Sequence, residues 1–384
     1  MKRLLQLLVF LIPAATYSQT PITDANIRAA VDICLITNPV DGMCTSSEYG
    51  SMPDWDVSDV TNMDNLFQNQ KDFNADISGW DVSNVTSMKE MFSKAQFFDE
   101  DISGWDVGKV TQMGFMFRET IFFDADISEW DVSNVTQMGF MFNRAKSFNA
   151  DISNWDVANV INMENMFNLA QSFNADIGGW DVGNVTFMFG MFTLAQSFNG
   201  DISEWDVGKV TNMSRMFLGA QYFNANLNEW NVSNVISMSE MFNDSGLSSE
   251  NYDETLNGWS ELGVKSNVKL QAKDTYYCFG AEARQSLIDN YNWDITDAGY
   301  NCGPVNVKDE NRLDVSIYPN PASYHLLING NNSELKATVC DVIGKEIIQL
   351  YISNEIDISY LEKGVYFIHL SDGLKASSHK FFKI

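Results

Sequence analysis

Residues 76–100 read Asp76-Ile-Ser-Gly-Trp80-Asp-Val-Ser-Asn-Val-Thr86-Ser-Met-Lys-Glu-Met91-Phe-Ser-Lys-Ala95-Gln-Phe-Phe98-Asp-Glu100, and variants of this stretch run along the chain. Trp stands at 55, 80, 105, 130, 155, 180, 205 and 230, always 25 residues apart. Val82, Met88 and Phe92 begin columns with the same period. Self-similarity this strict points to stacked repeats. Within a unit, Trp80 and Val82 alternate around Asp81, as in a half-buried strand. Met88, Met91, Phe92 and Ala95 fall at i, i+3, i+4 and i+7, the spacing of one helix face, with Asn84 or Thr86 as its cap. A coil of one short strand, a turn, a short helix and a return is expected. Its apolar face would be covered only by neighbouring coils, Trp on Trp and Phe on Phe.

Ile77-x-x-Trp80-x-Val82 matches the strand signature of leucine-rich repeats, and the whole unit resembles the 25-residue repeat of BspA-like surface proteins over roughly 51–245. The resemblance implies a repeat solenoid of the leucine-rich-repeat type, with a short parallel strand and a short helix per coil. Asn84 falls one place before the ladder Asn of ordinary leucine-rich repeats, and Val85 takes that slot. Horseshoe curvature is therefore not assumed. Helical caps are expected at 19–50, where Ile27, Ala30, Val31 and Cys34 share a face, and at 246–302, where the repeat stops.

The ends carry different signals. Lys2-Arg3, the apolar run Leu4–Ile12 and the small residues before Gln19 read as a signal peptide over 1–18. The run is too short for a membrane span, and no transmembrane segment is expected. Export makes disulfides plausible chemistry. Cys34–Cys44 and Cys278–Cys302 are the natural pairs by proximity, leaving Cys340 over. Residues 303–312 read as a polar linker. From 313 to 384, short alternating segments punctuated by Gly330, Gly344, Gly364 and Gly373 suggest a small all-β sandwich. This segment resembles the C-terminal sorting domain of type IX secretion cargo. The resemblance is carried by Tyr318-Pro319-Asn320-Pro321, Asp341-Val-Ile-Gly344, Leu361-x-x-Gly364-Val-Tyr366 and Lys380-Phe-Phe-Lys383-Ile384. It implies passage across the outer membrane and a secreted or surface location, with the type IX machinery as partner.

The formal net charge of -27 excludes nucleic acid as a partner, because phosphates need Lys and Arg. No catalytic constellation is legible. The repeats contain no His, and the abundant Asp residues are copies of one position, whereas acid–base chemistry needs carboxylates in distinct environments. The chain is not expected to be an enzyme. The column Asp81, Asp106, Asp131, Asp156, Asp181, Asp206 is read as pointing outward from a strand face. Neighbouring carboxylates about 5 Å apart repel by roughly 1 kcal/mol in water. They must cap turns, meet a basic partner or recruit a cation. No cofactor is expected, and Ca²⁺ is the ion this oxygen-rich column would suit. The slot before Trp varies as Gly79, Glu129, Asn154, Glu204. Glu129, Asp131, Asp156, Glu204 and Asp206 are thus the candidate binding residues for an extracellular protein or polysaccharide. A self-associating surface scaffold without a foreign ligand is the alternative.

Overall fold

The computed structural model describes residues 20–302, 313, 315–330, 335–341, 345–372 and 375–384. The expected signal peptide (1–18), the linker (303–312) and residues 342–344 of the Asp341–Gly344 motif lie outside them. The chain divides into two compact units, Met1–Cys302 and Gly303–Ile384.

The repeats do not fold as the spacing predicts. Among the described residues the α-helices are α1 (Ile27–Thr37), α2 (Ser249–Ser260) and α3 (Ala281–Tyr291), none of them between 51 and 245. Every strand among the described residues lies after residue 268, in small sheets. With 11% helix and 17% strand, the leucine-rich-repeat solenoid, with its strand and helix in each coil, is overturned. Where the strand was expected, at Trp80–Val82 and its copies, no ladder forms; the one residue that each unit gives to a parallel bridge lies farther on, running Asn62, Ser87, Gln112, Gln137, Asn162, Phe187, Asn212, Ser237. Where the helix was expected, the chain makes successive tight turns.

The sharing of backbone N–H groups explains the difference. Met91, Ser93 and Ala95 donate three residues back within their own unit, to Met88 O (3.2 Å), Glu90 O (3.1 Å) and Phe92 O (2.9 Å). The residues between them donate to the next unit: Met88 to Gln112 O, Glu90 to Gly114 O, Phe92 to Met116 O and Lys94 to Arg118 O, at 2.7–3.0 Å. An α-helix would direct all of these donors along its own axis. The alternation needs a left-handed residue at the third position of a turn, and Glu90 (φ 57°) and Lys94 (φ 67°) supply it. Consecutive turns reproduce the i, i+3, i+4, i+7 apolar spacing without a helix.

The apolar columns are interior. Trp80, Val82, Met88, Met91, Phe92 and Phe98, with their copies, are buried in one continuous core. Trp rings stack on their neighbours, as Trp155 on Trp180 at 6.4 Å and 2°. From Trp80 to Trp230 each indole N–H donates to a carbonyl of the unit before, as Trp130 to Ile102 O (3.1 Å) and Trp155 to Ile127 O (3.0 Å). Amphipathic side chains of this size are satisfied only when both the ring and the N–H find partners.

Both ends of the array are covered. Before the first unit, Asp24 accepts from Thr61 N (2.8 Å) and Asn62 N (3.1 Å), and Arg28 donates to Asp64 O. Behind the last, Met238 N and Phe242 N donate to Lys269 O and Gln271 O of β1 (Lys269–Ala272), at 3.0 and 2.9 Å. β1 pairs in parallel with β2 (Asp294–Asp297). In α2, Trp259 extends the indole column by donating to Leu227 O (3.0 Å). These covers stand where the open ends of the array could otherwise pair with another chain. Disulfides join Cys34 to Cys44 and Cys278 to Cys302.

The second unit has two antiparallel sheets. One contains β3 (Ser316–Tyr318), β4 (His325–Asn329) and β7 (Glu355–Asp357). The other contains β5 (Leu335–Cys340), β6 (Glu346–Ile352), β8 (Gly364–Ser371) and β9 (Ala376–Lys383), in the order β6-β5-β8-β9. Leu326, Ile356, Val339, Ile368 and Phe381 are among the residues of their shared core. Cys340 is a free, buried thiol.

Candidate binding face

The acidic columns prove to be turn residues. Asp81, Asp131, Asp156 and Asp206 each accept the N–H two residues ahead, from Ser83, Ser133, Ala158 and Gly208, at 3.0–3.1 Å. This is the side-chain mimic of a backbone turn. The Ser133 hydroxyl and N–H hold the Asp131 carboxyl below the ordinary carboxylate range. The residue two places after the Asp belongs to this turn and not to a strand face. A Cβ on Gly183 would lie 3.1 Å from Asp181 Oδ1 and 3.4 Å from Asp206 Oδ2, which suits Gly, Ser and Ala there.

Glu129, Asp131, Asp156, Glu204 and Asp206 are all exposed. The structure does not gather them. Glu204 lines an open cleft of about 420 Å³ with Asp201, Asn199, Asn226, Asn228 and Glu229. Asp206 does not line it, nor do the other three.

A second cleft, of about 480 Å³, has a different chemistry. It lies on the turns that replace the expected helix. Gln112, Gln137 and Asn162 come from the bridge column, Gly114 and Gly139 from the column two residues on, and Phe115 and Phe140 from the next. Lys89 and Glu164 are its only charged residues. Phe115 and Phe140 stack at 4.5 Å and 4° and are half-buried. Both occupy the left-handed slot, at φ 62° and 61°. The same slot is left-handed in the other units too, where it holds Glu90, Asn165, Gly190, Arg215 and Glu240. Phe115 and Phe140 were overlooked in the sequence because the Met-Phe segment read as a buried helix. The signal was present as an exact doubling, Gln112-Met-Gly-Phe-Met-Phe117 and Gln137-Met-Gly-Phe-Met-Phe142.

Side-chain ladders hold these columns in place. Asn74 Oδ1 accepts from Asp99 N, Asp99 Oδ1 from Asp124 N, and the series continues through Asn149, Asn174, Asn199 and Asn224 to Ser248 N, at 2.7–2.8 Å. Asn84, Asn134, Asn159, Asn184 and Asn234 donate to carbonyls of the preceding unit at 2.8–3.0 Å. Each unit is thereby keyed to the next outside the core as well as within it.

In the second unit, the Tyr318-Pro319-Asn320-Pro321 turn is fastened to β9. Asn320 donates to Lys380 O and accepts from Phe382 N, both at 2.9 Å. Gly364 and Lys383 face each other across β8 and β9, and Tyr366 packs on Phe381 at 5.6 Å.

A family model described as "Mycoplasma protein of unknown function, DUF285" matches residues 40–155 and 141–259, more than half of the chain. The chain belongs to this DUF285 family. The DUF285 match spans the whole array of 25-residue units. Beyond the DUF285 region, residues 316–383 match the secretion system C-terminal sorting domain. The DUF285 chain is therefore a secreted or cell-surface protein whose C-terminal domain engages the type IX secretion machinery. Among its described residues no helix is long and apolar enough to cross a membrane. No curated protein matches the chain.

Proposed function

We propose that this secreted DUF285 protein is a binding module, whose repeat array recognises an extracellular protein or polysaccharide and acts without turnover. The observation that carries this reading is the stacked pair of half-buried Phe residues, Phe115 and Phe140, in a slot that holds Glu90, Asn165, Gly190, Arg215 and Glu240 in other units. The same left-handed slot recurs in other units without a ring, so the repeat does not itself require aromatic side chains there. Export places such a surface in contact with other cells and polymers. Binding of the purified full chain to a panel of matrix proteins and polysaccharides tests the reading. Saturable retention of at least one is expected, and failure to retain any would refute it.

A further inference from the structure

We propose that the Gln112–Glu164 cleft binds a neutral polysaccharide, with the chain of sugars running along the array and one hexose facing each coil. This inference rests on the binding reading above and names the ligand class. Three observations support it. The cleft repeats along the array as a polymer does: Gln112, Gln137 and Asn162 occupy one column in three successive units. Bridged neighbours stand about 4.8 Å apart, close to the advance of one residue in an extended β-linked hexose chain. Each Gln or Asn amide offers both a donor and an acceptor, which suits neighbouring sugar hydroxyls.

The second observation is the wall. Phe115 and Phe140 form a rigid apolar ridge at one side of the cleft. The C–H faces of sugar rings lose water against such a surface. Gly114 and Gly139 put no side chain of their own on the floor: a Cβ on Gly114 would meet Gly139 O at 3.5 Å, while over Gly139 the Asn162 amide already stands 3.1 Å from such a Cβ. The bridge column then continues past the cleft through Phe187, 52% exposed, to the amide of Asn212.

The third is charge. The chain carries -27, yet the cleft has one cation and one anion, Lys89 and Glu164. A polyanion would be repelled by the molecule as a whole. A folded protein partner generally needs about 800 Å² on each side, a broad face rather than a narrow trough lined by amides.

The test is affinity electrophoresis of the full chain through gels containing a soluble β-glucan, a mannan, dextran or hyaluronate, at low and high salt. Fibronectin and collagen are assayed in parallel on a sensor surface. At least one neutral polysaccharide should retard the protein, with little response to salt. The double variant Phe115→Asn/Phe140→Asn should lose at least about tenfold in affinity while keeping its thermal stability, because Asn165 already occupies this slot. Gly114→Lys should also lose binding, since it fills the floor with the residue that Lys89 supplies in its own unit. Undiminished binding in both variants would overturn the proposal, as would retardation by hyaluronate alone. Retention of fibronectin or collagen with no neutral polysaccharide would also overturn it but leave the binding reading standing. No retention of any probe would remove both.

Discussion

Trp155→Ala offers a quantitative test of how the array is held together. The indole is 3% exposed, stacked at 6.4 Å on Trp180 and 6.3 Å from Phe142. Removing a buried aromatic side chain costs about 3–5 kcal/mol. The neighbours can do little to close the space, because Trp130 and Trp180 are each tied to the unit before by their own N–H, to Ile102 O and Ile152 O. The cost should therefore fall in the upper part of that range. Ile127 O, which loses the Trp155 donor, still accepts from Trp130 N at 3.3 Å. The lost hydrogen bond thus accounts for only about 0.5–1.5 kcal/mol. Trp155→Phe keeps a ring and loses the donor, and should fall well short of the Ala variant. All ten Trp lie between 55 and 293, in the first compact unit. Urea unfolding of the full chain followed by Trp fluorescence therefore reports on that unit alone. A loss below about 1 kcal/mol, the scale of a surface change, would refute the packing account. Equal losses in the Phe and Ala variants would show that the hydrogen bond, and not the stacked ring, holds the column.

Other expectations follow from single contacts. Arg284→Ala removes the partner of Asp297, whose side chain is 2% exposed and bonded to Arg284 Nε at 2.6 Å. Leaving that carboxylate without its cation should cost about 3–5 kcal/mol in the same assay, and a change under 1 kcal/mol would show the pair is dispensable. Cys278→Ser/Cys302→Ser opens a link across 24 residues and should cost about 3 kcal/mol, measured against wild type under non-reducing conditions. Asp76, Asp81, Asp131 and Asp201 are all held below the ordinary Asp value of 3.8, chiefly by the Ser hydroxyl two residues on. Below 3.8 the unfolded chain then binds more protons than the folded one, so stability should be complete above that pH and fall as pH drops through the lowered values. Melting temperatures measured down an acid series should show this decline. Replacing Ser78, Ser83, Ser133 and Ser203 by Ala should flatten it, and an unchanged slope would refute the cause.

The period, the buried Trp, Met and Phe columns and the two disulfide pairs were legible in the sequence, because burial and proximity leave direct traces in residue type and spacing. The turn-built coil was not. Met88, Met91, Phe92 and Ala95 satisfy a helical face, and the left-handed slots that exclude a helix hold Glu90, Phe115, Arg215 and Glu240 as well as Gly190. No glycine column announces them. The acidic candidates failed as one site for a related reason. Asp131 and Asp206 were placed by alternation on a strand, whereas each closes a turn through Ser133 N or Gly208 N. Phe115 and Phe140 were assigned to a helix that does not form, although the doubled Gln-Met-Gly-Phe-Met-Phe stood out from the other units.

The division of donors within each coil also bears on how such a chain can change over generations. Met88, Glu90, Phe92 and Lys94 satisfy themselves on the following unit, and the corresponding residues at 238 and 242 find carbonyls on β1. Each coil thus presents the same socket and the same plug. Loss or duplication of a 25-residue segment by recombination would join an unaltered socket to an unaltered plug, and neither terminal cover would need to adapt. A lineage could in this way lengthen or shorten its reach by about 4.8 Å per event, and vary the exposed columns of one copy while the others keep the fold.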